Sequence, residues 1–294
     1  MRSGLFSVSY AGLWGQTALS MEAFIEKAAE LGFDGVLLMA KRPHLSSLDA
    51  TEKRLEKVRK LLESKGLSLI GVGAYNDFLL EAPSEVPSDE LQLLYIDACC
   101  RMASRLGGTL VRVFTGYERS TEPVIRQWNR LVELLQEAGE RASEHGISLA
   151  VQNHHDLAVD SSAMAALLDD VGHPAVKAGF DAWSPFLRGE DLYESAKLMA
   201  PYTILSIAAN YRRYPRYRYL PELVNYETVE PAMVRASAMT QGEIDYDAFL
   251  RGLTDGGYGG PLVYEMCSPL EGGGGESNLD AKAADFINYF RNKN

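Results

Sequence analysis

Residues 147–156, ISLAVQNHHD, contain a run of side chains that could do chemistry. The first half alternates apolar residues with others, which predicts a buried β-strand. The second half contributes two amides, two imidazoles and a carboxylate, placed where that strand ends. Imidazole can exchange a proton near neutral pH, and all three groups can bind a substrate or a metal. Any one of these residues could instead satisfy backbone groups or lie in solvent, but five together favour a functional site.

Predicted helices flank this strand on both sides. Residues 124–145, closed by Gly146, have the periodicity of a helix, and residues 162–171 form the next one. A strand between two helices is typical of a parallel α/β sheet. In such sheets chemistry collects at the carboxyl ends of the strands, which is where the polar run lies.

Strand-like and helix-like segments alternate along the whole chain of 294 residues. The eight predicted strands are Leu5–Tyr10, Gly35–Ala40, 67–74, Thr109–Phe114, 147–151, Val176–Trp183, Tyr202–Ala208 and Pro261–Cys267. Eight strands with helices between them, without a linker or a low-complexity segment, predict a single (β/α)8 TIM barrel over residues 1–294. A Pro-containing loop is predicted at residues 81–90.

One connection is too long for an ordinary barrel loop. It runs from Asn210 to Met233 and interleaves Arg with Tyr. Such residues could stack on nucleic acid bases, but a substrate lid or a contact with another subunit is the better interpretation. We therefore predict that Arg212–Tyr219 lies over the mouth of the barrel.

Composition limits the partners and the compartment. Lys and Arg number 29 against 40 Asp and Glu, and the net charge of −11 argues against nucleic acid or an anionic membrane surface as a partner. The three cysteines have neither disulfide-framework nor zinc spacing. With no signal peptide and no run of about 18 apolar residues, we expect a soluble cytoplasmic protein.

The carboxyl ends of the strands supply a candidate ring of functional side chains. Its members are Gln152, His154 and His155 from the fifth strand, Asp181 from the sixth, Asn210 from the seventh and Glu265 from the eighth. Oxygen ligands with an imidazole suit Mn²⁺ or Mg²⁺. Each carboxylate could instead form an ion pair with Arg112 or another barrel arginine.

Three segments resemble the xylose-isomerase-like TIM-barrel superfamily of sugar isomerases and epimerases. Residues 147–156 stand where that family has a Glu followed by an Asn-His pair, and residues 178–192 where it has an Asp and a Gly-Asp. Residues 242–266, ending in Gly-Tyr-x-Gly and a strand with a terminal Glu, are the most specific match. The resemblance implies a divalent metal, often Mn²⁺, held by Glu, Asp, His and Glu, with the two Glu residues moving a proton beside a carbonyl.

Carried over to this chain, Asp181 and Glu265 match the family pattern, but other positions depart from it. The first Glu is Gln152, which can bind a metal through its oxygen but cannot accept a proton. Ser206 and Ala208 stand where imidazoles are expected on the seventh strand, and Ser184 replaces a further His. His154 or His155 could supply the missing imidazole, and Asn210 a neutral oxygen.

These residues lead to a set of expected roles. We expect catalysis by Glu265, His154 and Gln152; metal binding by Gln152, Asp181, Glu265 and Asn210; and substrate contacts by His155, Arg112, Trp183 and Arg216. The expected activity is that of a sugar isomerase or epimerase acting on a polyhydroxylated carbonyl compound. The resemblance also suggests a homodimer, because barrels of this family often pair. The alternatives are a binding or partner subunit that kept the pocket and lost the metal, and a lyase or hydrolase acting on a sugar derivative.

Overall fold

A computed structural model describes residues 1–82 and 85–293. Pro83 and Ser84 of the predicted Pro-containing loop, and the C-terminal Asn294, lie outside the described residues. The strands are β1 (Arg2–Phe6), β2 (Gly35–Met39), β3 (Ser68–Gly73), β4 (Leu110–Val113), β5 (Ser148–Gln152), β6 (Val176–Gly179), β7 (Thr203–Ala208), β8 (Asn210–Leu220), β9 (Asn225–Ser237) and β10 (Pro261–Tyr264). The helices are α1 (Met21–Glu30), α2 (Glu52–Ser64), α3 (Ser88–Arg105), α4 (Val124–Glu144), α5 (Ser161–Val171), α6 (Trp183–Arg188), α7 (Leu192–Met199), α8 (Tyr246–Asp255) and α9 (Glu276–Lys293).

Eight parallel strands close into a barrel in the order β1-β10-β7-β6-β5-β4-β3-β2. Helices connect successive strands, so the predicted (β/α)8 barrel is confirmed. Polar side chains fix where several helices begin: Ser20 Oγ accepts from the backbone N–H of Ala23 at the start of α1, and Asp160 Oδ1 accepts from that of Ala163 at the start of α5. No helix among the described residues is both long and apolar enough to cross a bilayer.

The period of two along each strand divides the core into an interior and an outer layer. The interior cluster consists of Phe6, Val8, Ala11, Leu37, Met39, Ile70, Leu110, Ala150, Leu205, Ile207 and Val263. Each fully buried Val, Leu or Ile contributes about 1.5–3 kcal/mol to stability. On three strands, the next inward position after this cluster carries a polar side chain. These side chains are Arg112 on β4, Gln152 on β5 and Glu265 beyond β10. The apolar interior therefore forms the floor below a polar mouth.

Several predicted elements differ from the structure. The sixth and eighth predicted strands end early, at Gly179 and Tyr264 rather than at Trp183 and Cys267, and Trp183 begins α6. The first strand is Arg2–Phe6 rather than Leu5–Tyr10, because Ser7–Tyr10 turns into a short 3₁₀ helix at the mouth. The long connection after β7 is not a loop: β8 and β9 pair antiparallel in a two-stranded ribbon outside the barrel. Tyr and other β-formers alternate with Arg along β8, a pattern that suits an exposed ribbon.

Candidate functional site

A cavity of about 150 Å³ opens at the carboxyl ends of the strands. Its lining residues are Gln152, His154, Asp181, Trp183, Ile207, Ala209, Tyr211, Val234, Tyr246, Glu265, Cys267 and Ser268. Five side chains of the sequence-derived set are thus brought to one cavity. They come from β5, β6 and β10, whose ends converge because the barrel is closed.

Gln152 and Asp181 form a buried hydrogen-bonded pair in this cavity. Gln152 Nε2 donates to Asp181 Oδ2 at 2.7 Å, and the backbone N–H of Trp183 donates to Oδ1 at 3.1 Å. Asn153 fixes the same turn, because its side chain bonds both the N–H and the C=O of Asp181 at 2.8 and 3.0 Å. Burial raises the pKa of Asp181 to about 7, and the Glu265 charge adds to this rise while the Gln152 hydrogen bond opposes it. This carboxyl group is therefore poised between its neutral and charged forms near neutral pH.

Glu265 lies at the end of a short chain of hydrogen bonds. Cys267 Sγ donates to Glu265 Oε1 at 3.1 Å, and Tyr211 Oη lies 3.2 Å from the same sulfur. Burial raises the pKa of Cys267 well above its ordinary value, so the thiol keeps its proton and donates. Burial also raises the pKa of Glu265, while the thiol and the Arg112 charge act in the opposite direction. Our sequence reasoning missed Cys267 and Tyr211, although Cys267 shares the inward face of its strand with Glu265.

His154 lines the cavity, and a local hydrogen bond fixes the tautomer of its ring. Its Nδ1 accepts the backbone N–H of His155 at 2.7 Å, so the proton of the neutral ring lies on Nε2. Desolvation, together with the charges of His155 and Arg112, lowers the pKa of His154 to about 4. At neutral pH this ring is an uncharged hydrogen-bond donor.

His155 and Arg112 lie outside the cavity lining but close to it. His155 has a left-handed backbone with φ of +75°, and its ring packs edge-on against Phe114 and Tyr117, with centroids 4.3 Å away in each case. Arg112 is 1% exposed, and its Cζ lies 3.8 Å from the Phe114 ring centroid. Within the described part of the chain, its Nε and Nη1 atoms have no hydrogen-bond partner.

Two residues of the predicted site point elsewhere. Asn210 donates from Nδ2 to the carbonyls of Met239 and Ile244 and accepts at Oδ1 from the N–H groups of Tyr211 and Ile244. Its amide is therefore occupied in holding the turn after β9 and is not among the cavity residues. Arg216 is exposed on β8 and donates to the carbonyl of Pro231 at 3.2 Å. Tyr211 and Val234, at the base of the ribbon, line the cavity. The segment Arg212–Tyr219, which the sequence predicts over the mouth, is not among the lining residues.

The seventh strand faces the cavity with residues other than those predicted. Ile207 and Ala209 line it, whereas Ser206 is fully buried elsewhere and Ala208 packs in the outer core. The expectation that Ser206 and Ala208 face the cavity is wrong by one residue, and a shift of one residue exchanges the two faces of a strand. Both inward residues are apolar, so β7 supplies no metal ligand. Ser184, at the other departure from the family pattern, donates to the carbonyl of Asn153 at 2.8 Å.

The donor set does not fit the four-ligand metal centre that the family resemblance implies. Asp181 and Glu265 supply two carboxylates, but Gln152 turns an N–H toward Asp181, β7 offers Ile207 and Ala209, and the amide of Asn210 is used by the backbone. Among residues 1–82 and 85–293, no cluster of three or more His, Cys, Asp and Glu residues is arranged to hold a metal ion. No chemical step is therefore assigned to a metal here.

The chain is similar to several sugar epimerases in sequence or in structure. A fructoselysine 3-epimerase of Shigella flexneri is 24% identical over 203 residues, which cover 65% of this chain and 69% of that protein. The crystal structure of a D-psicose 3-epimerase of Clostridium cellulolyticum with D-tagatose matches with a TM-score of 0.76 at 17% identity, over 99% of this chain and 98% of that one. A D-allulose 3-epimerase of Methylomonas sp. in complex with D-allulose matches with a TM-score of 0.75 at 14% identity, over 100% and 97% of the two chains. The sequence profile of the xylose isomerase-like TIM barrel family covers residues 25–292, and this chain belongs to that family.

Proposed function

We propose that this protein is a sugar epimerase or isomerase that moves a proton on a carbon beside a carbonyl. The observation that carries the proposal is a cavity with two separately held carboxyl groups, Asp181 beyond β6 and Glu265 beyond β10. The two strands are separated in the barrel by β7 alone. The names of the relatives, epimerases of fructoselysine, D-psicose and D-allulose, support the same class of reaction.

Each polar group of the cavity has a role in this proposal. Glu265 is the general base that removes the proton from the carbon next to the carbonyl. His154 donates from Nε2 to the carbonyl oxygen and stabilises the negative charge that develops there, as a neutral imidazole can. Asp181 in its protonated form returns a proton, and Gln152 holds Asp181 in place. His154 is thus assigned a donor role in place of the proton exchange expected from the sequence.

Solvent isotope exchange tests this proposal. The wild-type protein should introduce deuterium from ²H₂O into one or more members of a panel of ketoses, as measured by NMR. Glu265→Gln should lower the exchange rate by about 10²-fold or more, because a positioned general base contributes about 10²–10⁴-fold. Asp169→Asn, which removes a carboxyl group on α5, is the matched control and should leave the rate unchanged. Exchange that survives Glu265→Gln contradicts the assigned base.

A binding barrel without catalysis is the second candidate, and the incomplete metal-ligand set favours it. Such a protein would bind sugars in the same cavity but exchange no proton. Calorimetry with the same ketoses separates the two candidates, since binding without any deuterium entry in wild type supports the second and refutes the first.

A further inference from the structure

A group of cationic side chains lies beside the cavity, on the side of β2, β4 and β5. Lys41 follows β2, and its Nζ atom lies 3.7 Å from the ring centroid of Tyr75. The guanidinium carbon of Arg112 lies 5.1 Å from the same centroid. His155 joins the group through Phe114, whose ring contacts both His155 and Arg112. We call Lys41, Arg112 and His155 the cationic group; its charge resides on Lys41 and Arg112, because burial and the Arg112 charge lower the pKa of His155 and favour its neutral ring.

The cationic group adjoins the proposed catalytic cavity. The rings of His154, which lines the cavity, and His155 have centroids 4.7 Å apart. The charge of Arg112 lowers the pKa of both His154 and Glu265, so the guanidinium acts electrostatically on the catalytic residues. The cationic group therefore borders the cavity through His154, although none of its three members is among the lining residues.

Among the described residues, no carboxylate forms an ion pair with Lys41 or Arg112, and the Glu265 carboxylate attracts the Arg112 guanidinium without pairing with it. In the described ranges, Arg112 Nε and Nη1 and His155 Nδ1 are buried without partners. The carboxylates nearby are engaged elsewhere. Asp77 pairs with Arg119 and accepts backbone N–H groups, Asp156 accepts the N–H of Glu118, and Glu265 accepts from Cys267.

An unneutralised cluster of this kind is unfavourable in the empty protein. Burial lowers the pKa of Lys41, and the like charge of Arg112 lowers it further. Buried N–H groups that have lost water and found no acceptor cost free energy, and a buried guanidinium costs more. An anion that accepts these hydrogen bonds would remove the cost, and the guanidinium fork suits a carboxylate or a phosphate.

We propose that the cationic group is an anion subsite and that the substrate is a sugar derivative with a carboxylate or phosphate group away from the reacting carbon. The second part rests on the proposed epimerase or isomerase function, whereas anion binding does not. Carboxylate and phosphate share the required chemistry, namely several acceptor oxygens and a negative charge. The experiment distinguishes them.

Calorimetric titration of the full chain with three related sugars tests the subsite. The probes are D-fructose, D-fructuronate and D-fructose 6-phosphate, which differ in the group at the far end of the chain. At least one of the anionic sugars should bind about tenfold or more tightly than D-fructose, and the tighter of the two identifies the anion. Lys41→Met should abolish this preference, Lys41→Arg should retain most of it, and Lys60→Met, on the exposed face of α2, should leave it unchanged. Circular dichroism of Lys41→Met verifies that the variant is folded.

The possible outcomes separate the subsite from the function. Equal affinity for neutral and anionic sugars, no detectable binding of either anion, or a preference that survives Lys41→Met overturns the subsite. Deuterium exchange into D-fructose without any anion preference keeps the proposed function and refutes the subsite. Anion binding that depends on Lys41, without exchange into any probe, keeps the subsite and counts against the function.

Discussion

Replacing Arg112 with methionine should make the unliganded protein more stable. The guanidinium is 1% exposed, and its Nε and Nη1 groups lack acceptors among the described residues. Each unsatisfied buried donor costs about 1–3 kcal/mol. The contact with the Phe114 ring returns about 0.5–2 kcal/mol, which the variant loses. With about 1.5–2 kcal/mol for each of the two donors and about 1 kcal/mol for the lost ring contact, the balance is a stabilisation of about 2–3 kcal/mol, in line with the replacement of buried charges by apolar side chains in other proteins.

Thermal unfolding provides the measurement. For a chain of this length, 1 kcal/mol corresponds to roughly 1.5 °C in Tm, so Arg112→Met should raise Tm by about 3–5 °C. Arg112→Lys retains a buried charge and should not raise Tm, and Lys60→Met controls for loss of a surface charge. Addition of the tighter-binding anionic sugar should raise the Tm of wild type but not that of Arg112→Met. A lower Tm for Arg112→Met would refute the argument, because it would mean that Arg112 is satisfied in the free protein.

Three further predictions concern the catalytic cavity. The pKa of Asp181 is raised in the folded state from 3.8 to about 7, so between these pH values the folded protein retains a proton that the unfolded chain has lost. The stability of the fold should therefore decrease as the pH rises through this range. Thermal scans across this range should show a smaller decrease for Asp181→Asn than for wild type. Cys267→Ala removes the donor that lowers the pKa of Glu265, so the acidic limb of the pH profile of the exchange rate should move to higher pH. The exchange rate at neutral pH should fall roughly two- to tenfold. Cys267→Ser, which retains a donor, should keep the wild-type profile. The double variant Gln152→Glu, Ala209→His should bind Mn²⁺, as detected by electron paramagnetic resonance. The reason is that the pairing of Tyr264 with Ala208 places residue 209 beside Glu265. Stoichiometric Mn²⁺ binding by wild type would contradict our interpretation of the donor set.

The barrel could be predicted from the sequence because its signal is local. Short apolar runs mark the strands, helix periodicity separates them, and closure then brings the ends of β5, β6 and β10 together. Gln152, Asp181 and Glu265 meet in one cavity for this reason, and the structure places them as the strand pattern predicts. The roles assigned to them remain predictions.

The errors arose where the answer depends on contacts distant in sequence. Both faces of β7 carry apolar residues, so its pattern did not decide whether Ser206 or Ile207 points inward. Asn210 resembled a ligand in the sequence because the backbone groups that bind its amide lie about 30 residues away, where local sequence patterns do not reveal them. The lack of a partner for Arg112 is likewise a property of its three-dimensional surroundings, since Arg is usually paired when it is buried.

In the proposed function, the ribbon of β8 and β9 contributes to substrate selection, whereas the barrel strands carry the proton chemistry. Its base supplies Tyr211 and Val234 to the cavity wall, and Tyr211 also packs against Trp183, with ring centroids 4.3 Å apart. The carboxyl groups of Asp181 and Glu265, by contrast, are fixed at the ends of barrel strands. During evolution the ribbon beyond Tyr211 could change in length or sequence, and reshape the entrance for a new substrate, without disturbing the hydrogen bonds that hold either carboxyl group. Under the proposed function, differences in specificity between this chain and other barrels of the family are therefore expected to concentrate in this ribbon.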